Sequence, residues 1–123
     1  MESAVKILAV DDEPSITESM RFIFGRPRYE VTGVNDSDDA LARLVADWAG
    51  YDVVITDQKM PHRSGLELVR ELRKRNFAGK IMVLSAHLSP QVREAYERED
   101  VHVMLDKPFS IHELRRAMAT LAT

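Results

Sequence analysis

Acidic residues stand directly after two short runs of aliphatic residues. The run at residues 6–10 is followed by Asp11 and Asp12, and the run at residues 53–56 is followed by Asp57. Carboxylate oxygens are ligands that hard divalent cations prefer, and an aspartate can also act as a nucleophile in phosphoryl transfer. These residue types in these places indicate a metal and phosphoryl site.

A hydroxyl and an ammonium group follow two further aliphatic runs. Residues 81–84 precede Ser85, and residues 101–106 precede Lys107. Short apolar runs predict buried parallel strands, and the carboxyl ends of such strands meet at one edge of an open α/β sheet, where ligands bind. We therefore expect the hydroxyl, the ammonium group and the three carboxylates to converge at that edge.

Capping and turn residues mark the helices that must position these groups. Pro14 suits the first turn of a helix that Gly25 and Pro27 close. A strand is expected at residues 29–35. The next helix begins after Asp36 or Ser37, and its predicted apolar face includes Ala40, Leu41, Leu44, Val45 and Trp48.

Three more helices are predicted in the second half of the chain. Two of them open on capping-box spacings, namely Ser64 with Glu67 and Ser110 with Glu113. The last helix carries an apolar face that starts at Ile111. Alternating strands and helices predict a doubly wound α/β fold with a parallel sheet.

The helix that follows Ser89 has a thin apolar stripe. Its apolar residues are Val92, Ala95 and Tyr96. We expect this helix to dock more loosely on the sheet than its neighbours do.

Composition limits the class of protein. The chain has 123 residues, of which 45% are hydrophobic, and it carries a net charge of −3 and no cysteine. This predicts a single domain over residues 1–123 with no output domain, no direct nucleic-acid partner and no disulfide or thiolate zinc site. No apolar run approaches the roughly 18 residues of a membrane span, so a cytoplasmic protein that does not enter membranes is expected.

The motifs together resemble the receiver domain of bacterial two-component response regulators. The motifs that carry the resemblance are Asp11-Asp12, Asp57 with Met60-Pro61 and Gly65, Ser85-Ala86, and Lys107-Pro108-Phe109. The resemblance implies a flavodoxin-like (βα)5 fold with sheet order 2-1-3-4-5. It also implies that Asp57 accepts a phosphoryl group from a sensor histidine kinase or a phosphotransfer protein.

The same resemblance implies roles for the other site residues. Asp12 and Asp57 would bind Mg²⁺ (or Mn²⁺) directly, Asp11 would bind mainly through water, and the backbone carbonyl of Lys59 would add a further ligand. Lys107 would contact a phosphoryl oxygen as a point charge.

The hydroxyl of Ser85 would donate a hydrogen bond to another phosphoryl oxygen, where most receivers use threonine. Lys59 and His87 flank the site at the positions that tune the lifetime of the phosphoryl group.

Met104 occupies the position at which receivers usually carry the aromatic residue of their switch. Coupling by rotation of an aromatic ring is therefore in question for this chain. Tyr96 and His102 are alternative carriers of that task, although a core position for Tyr96 and a solvated strand end for His102 are the favoured interpretations.

A receiver implies a switched surface, formed by the fourth helix, the fifth strand and the fifth helix, that acts on an effector protein or an attached output domain. A homodimer is left open, because Arg93 and Glu113 could pair between subunits while Val103 and Ala117 are uncharged. No enzymatic activity is expected beyond self-catalysed phosphoryl acceptance and autodephosphorylation.

Two other functions compete with the switch. An aspartyl-phosphate phosphatase or phosphotransferase of another family would carry Asp-x-Asp at its nucleophile, whereas Asp57 is followed by Gln58 and Lys59. A pseudo-receiver that serves only as an interaction module would be expected to lack an acid or the lysine, and this chain has them all.

Overall fold

Strands and helices alternate along the chain. The computed structural model describes residues 3–86 and 88–121. The elements in chain order are β1 (Val5–Val10), α1 (Pro14–Ile23), β2 (Tyr29–Val34), α2 (Ser37–Ala46), β3 (Val53–Asp57), α3 (Gly65–Lys74), β4 (Lys80–Ser85), α4 (Pro90–Arg98), β5 (Val103–Asp106) and α5 (Ile111–Leu121).

The five strands form one sheet in the order β2-β1-β3-β4-β5, and all four pairings are parallel. This confirms the predicted doubly wound, flavodoxin-like topology. Val10 of β1 is in register with Thr56 of β3. The residues that follow, Asp11 and Asp57, therefore leave the sheet side by side at its carboxyl edge.

Each face of the sheet carries its own hydrophobic core. In β1, Leu8 and Val10 point into a cluster covered by α2, α3 and α4, which we call the α2–α4 cluster. Ile7 and Ala9 point into the α1–α5 cluster on the opposite face. Burial on both faces explains why the inner strands are continuous apolar runs instead of alternating patterns.

Side-chain caps start the helices where their spacing predicts. Ser64 accepts a hydrogen bond from the backbone N–H of Glu67, whose carboxylate accepts one from the backbone N–H of Ser64. Ser110 and Glu113 make the same pair of bonds. For α2, the cap is Asp36, which accepts a 2.7 Å hydrogen bond from the backbone N–H of Asp39.

Three residues that were predicted to lie on the apolar faces of helices lie elsewhere. Val45 is 51% exposed and Ile111 is 52% exposed. In α2, the buried stripe is centred on Ala40 and Leu44, and Val45 lies about 100° further around the helix. Trp48 lies beyond the end of α2, and its ring packs edge-on against Phe77 at a centroid distance of 5.6 Å.

Candidate functional site

Three carboxylates meet at the carboxyl edge of the sheet. Asp11 and Asp12 follow β1, and Asp57 is the last residue of β3. One oxygen atom from each carboxylate lies within 4.8 Å of the other two. Asp11 is buried, Asp57 is half-buried and Asp12 is exposed, so the cluster opens to solvent on one side.

Lys107 brings a positive charge to this cluster from beyond β5. Its Nζ lies 3.5 Å from Oδ2 of Asp11 and 3.6 Å from Oδ1 of Asp57. The backbone N–H of Lys107 donates a 2.7 Å hydrogen bond to the carbonyl of Ser85, which holds the lysine to the end of β4. The side chain is 23% exposed, so its ammonium group is partly desolvated.

Keeping the carboxylates of Asp11 and Asp57 charged costs free energy. Burial raises the pKa of Asp11, and the backbone N–H of Glu13 and the charge of Lys107 partly oppose this effect. Burial likewise raises the pKa of Asp57, opposed by Lys107 and by the backbone N–H of Gln58. Repulsion between the carboxylates adds to both increases. A bound cation would relieve this cost.

The donor set fits a hard divalent cation. Convergent carboxylate oxygens are the ligands that Mg²⁺ takes in proteins, usually together with several waters. One side of the set is open to solvent at Asp12, which leaves room for waters and for a phosphoryl group. The ligand role of the Lys59 carbonyl stays a prediction, and the Lys59 side chain is exposed.

Ser85 ends β4 and is buried. The preceding residue, Leu84, is in register with Asp57 on the neighbouring strand. Ser85 is therefore the end of the strand that neighbours Asp57 on that side, and its role as a donor to a phosphoryl oxygen stays a prediction. His87, the second proposed tuning residue, lies outside the described residues.

The remaining candidates lie away from the carboxylates. Met104 is half-buried in β5 and packs against the α2–α4 cluster. His102 is exposed, and its backbone N–H bonds to the carbonyl of Ile81 near the opposite, amino edge of the sheet. Arg93 forms a 3.5 Å ion pair with Asp106 of the same chain.

Two polar residues of this edge were not predicted from the sequence. The side-chain amide of Asn35 donates a 2.9 Å hydrogen bond to the backbone carbonyl of Asp11. Gln58 donates its backbone N–H to Oδ1 of Asp57 at 2.9 Å. Asn35 follows β2 and could have been found by the strand-end rule that found Asp11, whereas the role of Gln58 depends on its tertiary contacts.

The fold and the site define the class. A five-stranded parallel sheet of this order, with three acids at the carboxyl ends of β1 and β3 and a lysine after β5, is the arrangement of a receiver domain. The family model of the response regulator receiver domain matches residues 7–119, and the chain belongs to this family of two-component signalling proteins.

Curated relatives agree with this assignment. Response regulator MprA of Mycolicibacterium vanbaalenii is 35% identical over 117 residues, which are 95% of this chain and 50% of that protein. Transcriptional regulatory protein TrcR of Mycobacterium tuberculosis is 30% identical over 112 residues, 91% of this chain and 43% of that protein. The chain thus spans about half the length of the curated relatives it matches.

Solved structures agree as well. The chemotaxis protein CheY4 of Vibrio cholerae has a TM-score of 0.86 at 29% identity, covering 96% of this chain and 98% of that chain. A response regulator receiver domain protein from Clostridium thermocellum has a TM-score of 0.86 at 29% identity, covering 95% of this chain and 93% of that chain. Among the helices of residues 3–86 and 88–121, none combines the length and apolar character needed to span a bilayer.

Proposed function

We propose that this chain is a phosphoacceptor signalling switch whose phosphorylated residue is Asp57. The donor is a phosphohistidine of a sensor histidine kinase or a phosphotransfer protein, and the reaction takes place in the cytoplasm. Support comes from the family assignment and from the position of Asp57 between Asp11, Asp12 and Lys107.

The transfer is one displacement at phosphorus. A carboxylate oxygen of Asp57 forms a bond to phosphorus while the bond from phosphorus to the donor imidazole nitrogen breaks, and that nitrogen then takes a proton from solvent. Such a reaction requires positioning and charge neutralisation more than covalent help from the protein. The sheet edge supplies the positioning, and Lys107 supplies a charge that contacts a phosphoryl oxygen.

The carboxylates of Asp11, Asp12 and Asp57, with the carbonyl of Lys59, would hold Mg²⁺ (or Mn²⁺). When bound, the cation supplies two positive charges that stabilise oxygen atoms of a phosphoryl group. Without it, three carboxylates against one lysine leave a formal excess of two negative charges.

Phosphorylation changes this charge balance. One negative charge on Asp57 is replaced by about two on the acyl phosphate. The added charge attracts the Lys107 ammonium group and the Ser85 hydroxyl, and the loops that carry them follow. The surface of α4, β5 and α5 changes in response and acts on an effector protein or an attached output domain. The chain turns over no substrate of its own beyond hydrolysing its acyl phosphate.

The observation that carries the proposal is the placement of the Lys107 ammonium group within 3.6 Å of Oδ1 of Asp57, in a cluster of three acids. The test is intact mass spectrometry after incubation with acetyl phosphate and Mg²⁺. We expect one phosphoryl adduct per chain, its loss when EDTA removes the metal, and its loss in Asp57→Asn.

A matched control is Asp47→Asn, which removes the charge of an exposed aspartate outside the site and should leave the adduct intact. Continuous release of phosphate with no accumulating adduct would instead support a phosphatase. Neither adduct nor turnover would support an interaction module that is not phosphorylated.

A further inference from the structure

Tyr96 is the main anchor of α4 on the sheet. Within the described chain, α4 buries two residues, Ala95 and Tyr96, and Tyr96 is 0% exposed. Its ring belongs to the α2–α4 cluster, against which Met104 also packs. The position of α4 therefore depends heavily on one aromatic side chain.

The polar end of this ring contacts the loop that follows the phosphoacceptor. The Tyr96 hydroxyl donates a hydrogen bond to Oε1 of Gln58. The same oxygen accepts a 3.1 Å hydrogen bond from the backbone N–H of Leu66, in the first turn of α3. An amide oxygen with two donors is fully used, so any movement of Gln58 must change at least one of these bonds.

The Tyr96 hydroxyl and the backbone of Asp57 both lie close to the first residue of α3. A Cβ atom added to Gly65 would overlap the carbonyl oxygen of Asp57 and lie 2.8 Å from the Tyr96 hydroxyl oxygen. Glycine is needed here because the backbone of Asp57 and the hydroxyl of Tyr96 approach α3 so closely. The phosphoacceptor loop, the start of α3 and the tip of Tyr96 are thus in mutual contact.

Gln58 is also bonded to the phosphoacceptor itself. Its backbone N–H is shared between Oδ1 of Asp57 at 2.9 Å and the carbonyl of Leu84 at 3.2 Å. Its backbone carbonyl accepts a 2.9 Å hydrogen bond from the N–H of Gly65. A change in charge at Oδ1 of Asp57 therefore alters a bond made by the residue that holds Tyr96.

The Tyr96 hydroxyl also interacts electrostatically with the carboxylate of Asp57. Burial raises the pKa of Tyr96, and the negative charge of Asp57 raises it further. The hydroxyl is therefore a neutral donor that interacts electrostatically with the carboxylate.

We infer that Tyr96 transmits the phosphorylation state of Asp57 to α4 through its hydrogen bond to Gln58. The inference rests on the proposed phosphorylation of Asp57. Converting the carboxylate to an acyl phosphate weakens Oδ1 as an acceptor for the Gln58 N–H, and the loop shifts toward the carbonyl of Leu84. The bond from Tyr96 to Gln58 then changes, and α4, which has few other anchors, moves or loosens.

This route differs from ring rotation at position 104. Met104 offers neither an aromatic ring nor a hydroxyl, but it packs in the same cluster as Tyr96 and can adapt when that ring moves. In this chain the aromatic residue that responds lies on α4, and the methionine packs against the cluster to which that residue belongs.

The test compares hydrogen exchange of residues 90–98 with and without acetyl phosphate and Mg²⁺ in the full chain and in Tyr96→Phe. The variant keeps the ring and removes the hydroxyl. In the wild-type chain we expect phosphorylation to change exchange in α4. In Tyr96→Phe we expect the Asp57 adduct to form, with an α4 response about five-fold smaller, the factor expected for one net hydrogen bond.

Two further variants make the comparison specific. Gln58→Met removes the acceptor, leaves Tyr96 in place and should reduce the α4 response to the same degree. Tyr51→Phe removes the hydroxyl of a half-buried tyrosine that also packs against the α2–α4 cluster, and it should respond like the wild-type chain.

The outcomes separate the two proposals. A wild-type chain that forms no adduct overturns the proposed function and this inference with it. An adduct on Asp57 with an unchanged α4 in the wild-type chain overturns the inference alone. A full α4 response in phosphorylated Tyr96→Phe also overturns the inference alone. If that variant does not fold, a full α4 response in phosphorylated Gln58→Met has the same meaning.

Discussion

Helices α3 and α4 pack on the same face of the sheet, near the same acidic edge, but different kinds of side chain hold them. The buried aliphatic residues of α3 are Leu68, Val69 and Leu72. In contrast, α4 buries Ala95 and Tyr96, and the Tyr96 ring ends in a hydrogen bond to Gln58. Aliphatic anchors are insensitive to a nearby change of charge, whereas a bonded hydroxyl is sensitive to it. The comparison indicates that α3 has more buried aliphatic anchors than α4, which is the difference that the proposed response of α4 requires.

The test with the largest expected effect compares truncations of an apolar side chain in each of the two helices. Leu68→Ala should lower the free energy of unfolding by about 3 kcal/mol, because the residue is fully buried and leaves a cavity. Val92→Ala in α4 should cost about 1 kcal/mol, because this side chain is only partly buried. Urea denaturation measures both changes. Equal losses would contradict the view that α3 is the more firmly anchored helix.

A second test probes the point where the two helices meet. Gly65→Ala should lower the free energy of unfolding by about 2 kcal/mol, because the new methyl group meets the Asp57 carbonyl and the Tyr96 hydroxyl. Gly25→Ala is the matched control, since a Cβ at that position would meet no atom within 4 Å beyond those of Gly25 and its two chain neighbours. Its effect should stay within about 0.5 kcal/mol. An unchanged free energy of unfolding in Gly65→Ala would show that the packing between α3 and Tyr96 can accommodate an added methyl group.

A third test concerns the negative charge of Asp57 at the acidic edge of the sheet. Burial raises the pKa of Asp57 above 3.8 in the folded chain. The folded state thus binds this proton more tightly than the unfolded state does. The resulting stability is present below the ordinary carboxyl pKa and is lost as pH rises through the raised folded-state value.

In EDTA, Asp57→Asn should therefore become more stable than the wild-type chain, with a higher Tm, as pH rises from about 4 to about 7. Thermal unfolding followed by circular dichroism measures the difference. Adding Mg²⁺ at neutral pH should stabilise the wild-type chain more than the variant. A variant that is less stable than the wild-type chain at neutral pH would contradict this account.

The test with the smallest expected effect uses the serine residues that cap α3 and α4. Ser64 caps α3 and Ser89 caps α4, and each accepts a 3.2 Å hydrogen bond from the third backbone N–H beyond it. Replacing either serine by alanine should remove about 1 kcal/mol. For Ser64→Ala the loss should appear in global unfolding, whereas for Ser89→Ala it should appear mainly as faster local hydrogen exchange of residues 90–98. The same pattern for both variants would mean that α3 and α4 unfold as one unit.

Much of the fold is predictable from the sequence because it depends on near neighbours. The capping boxes at Ser64 and Ser110 join residues three apart, and both form as their spacing predicts. Errors occur where the apolar pattern does not specify how an element is covered. Val45 and Ile111 continue apolar patterns, but about half of each residue is exposed.

The sequence by itself determined the alternation of strands and helices and the placement of Asp11, Asp57 and Lys107 at strand ends, since hydrophobic runs and strand-end positions are local features of the chain. Only the tertiary structure decided that Tyr96 reaches Gln58, a residue 38 positions away, and that the backbone of Asp57 leaves no room for a side chain at Gly65. Such contacts depend on how α3 and α4 settle on the sheet, because a hydrogen bond or a close approach requires atoms to meet within tenths of an ångström, and no periodicity in a sequence specifies that.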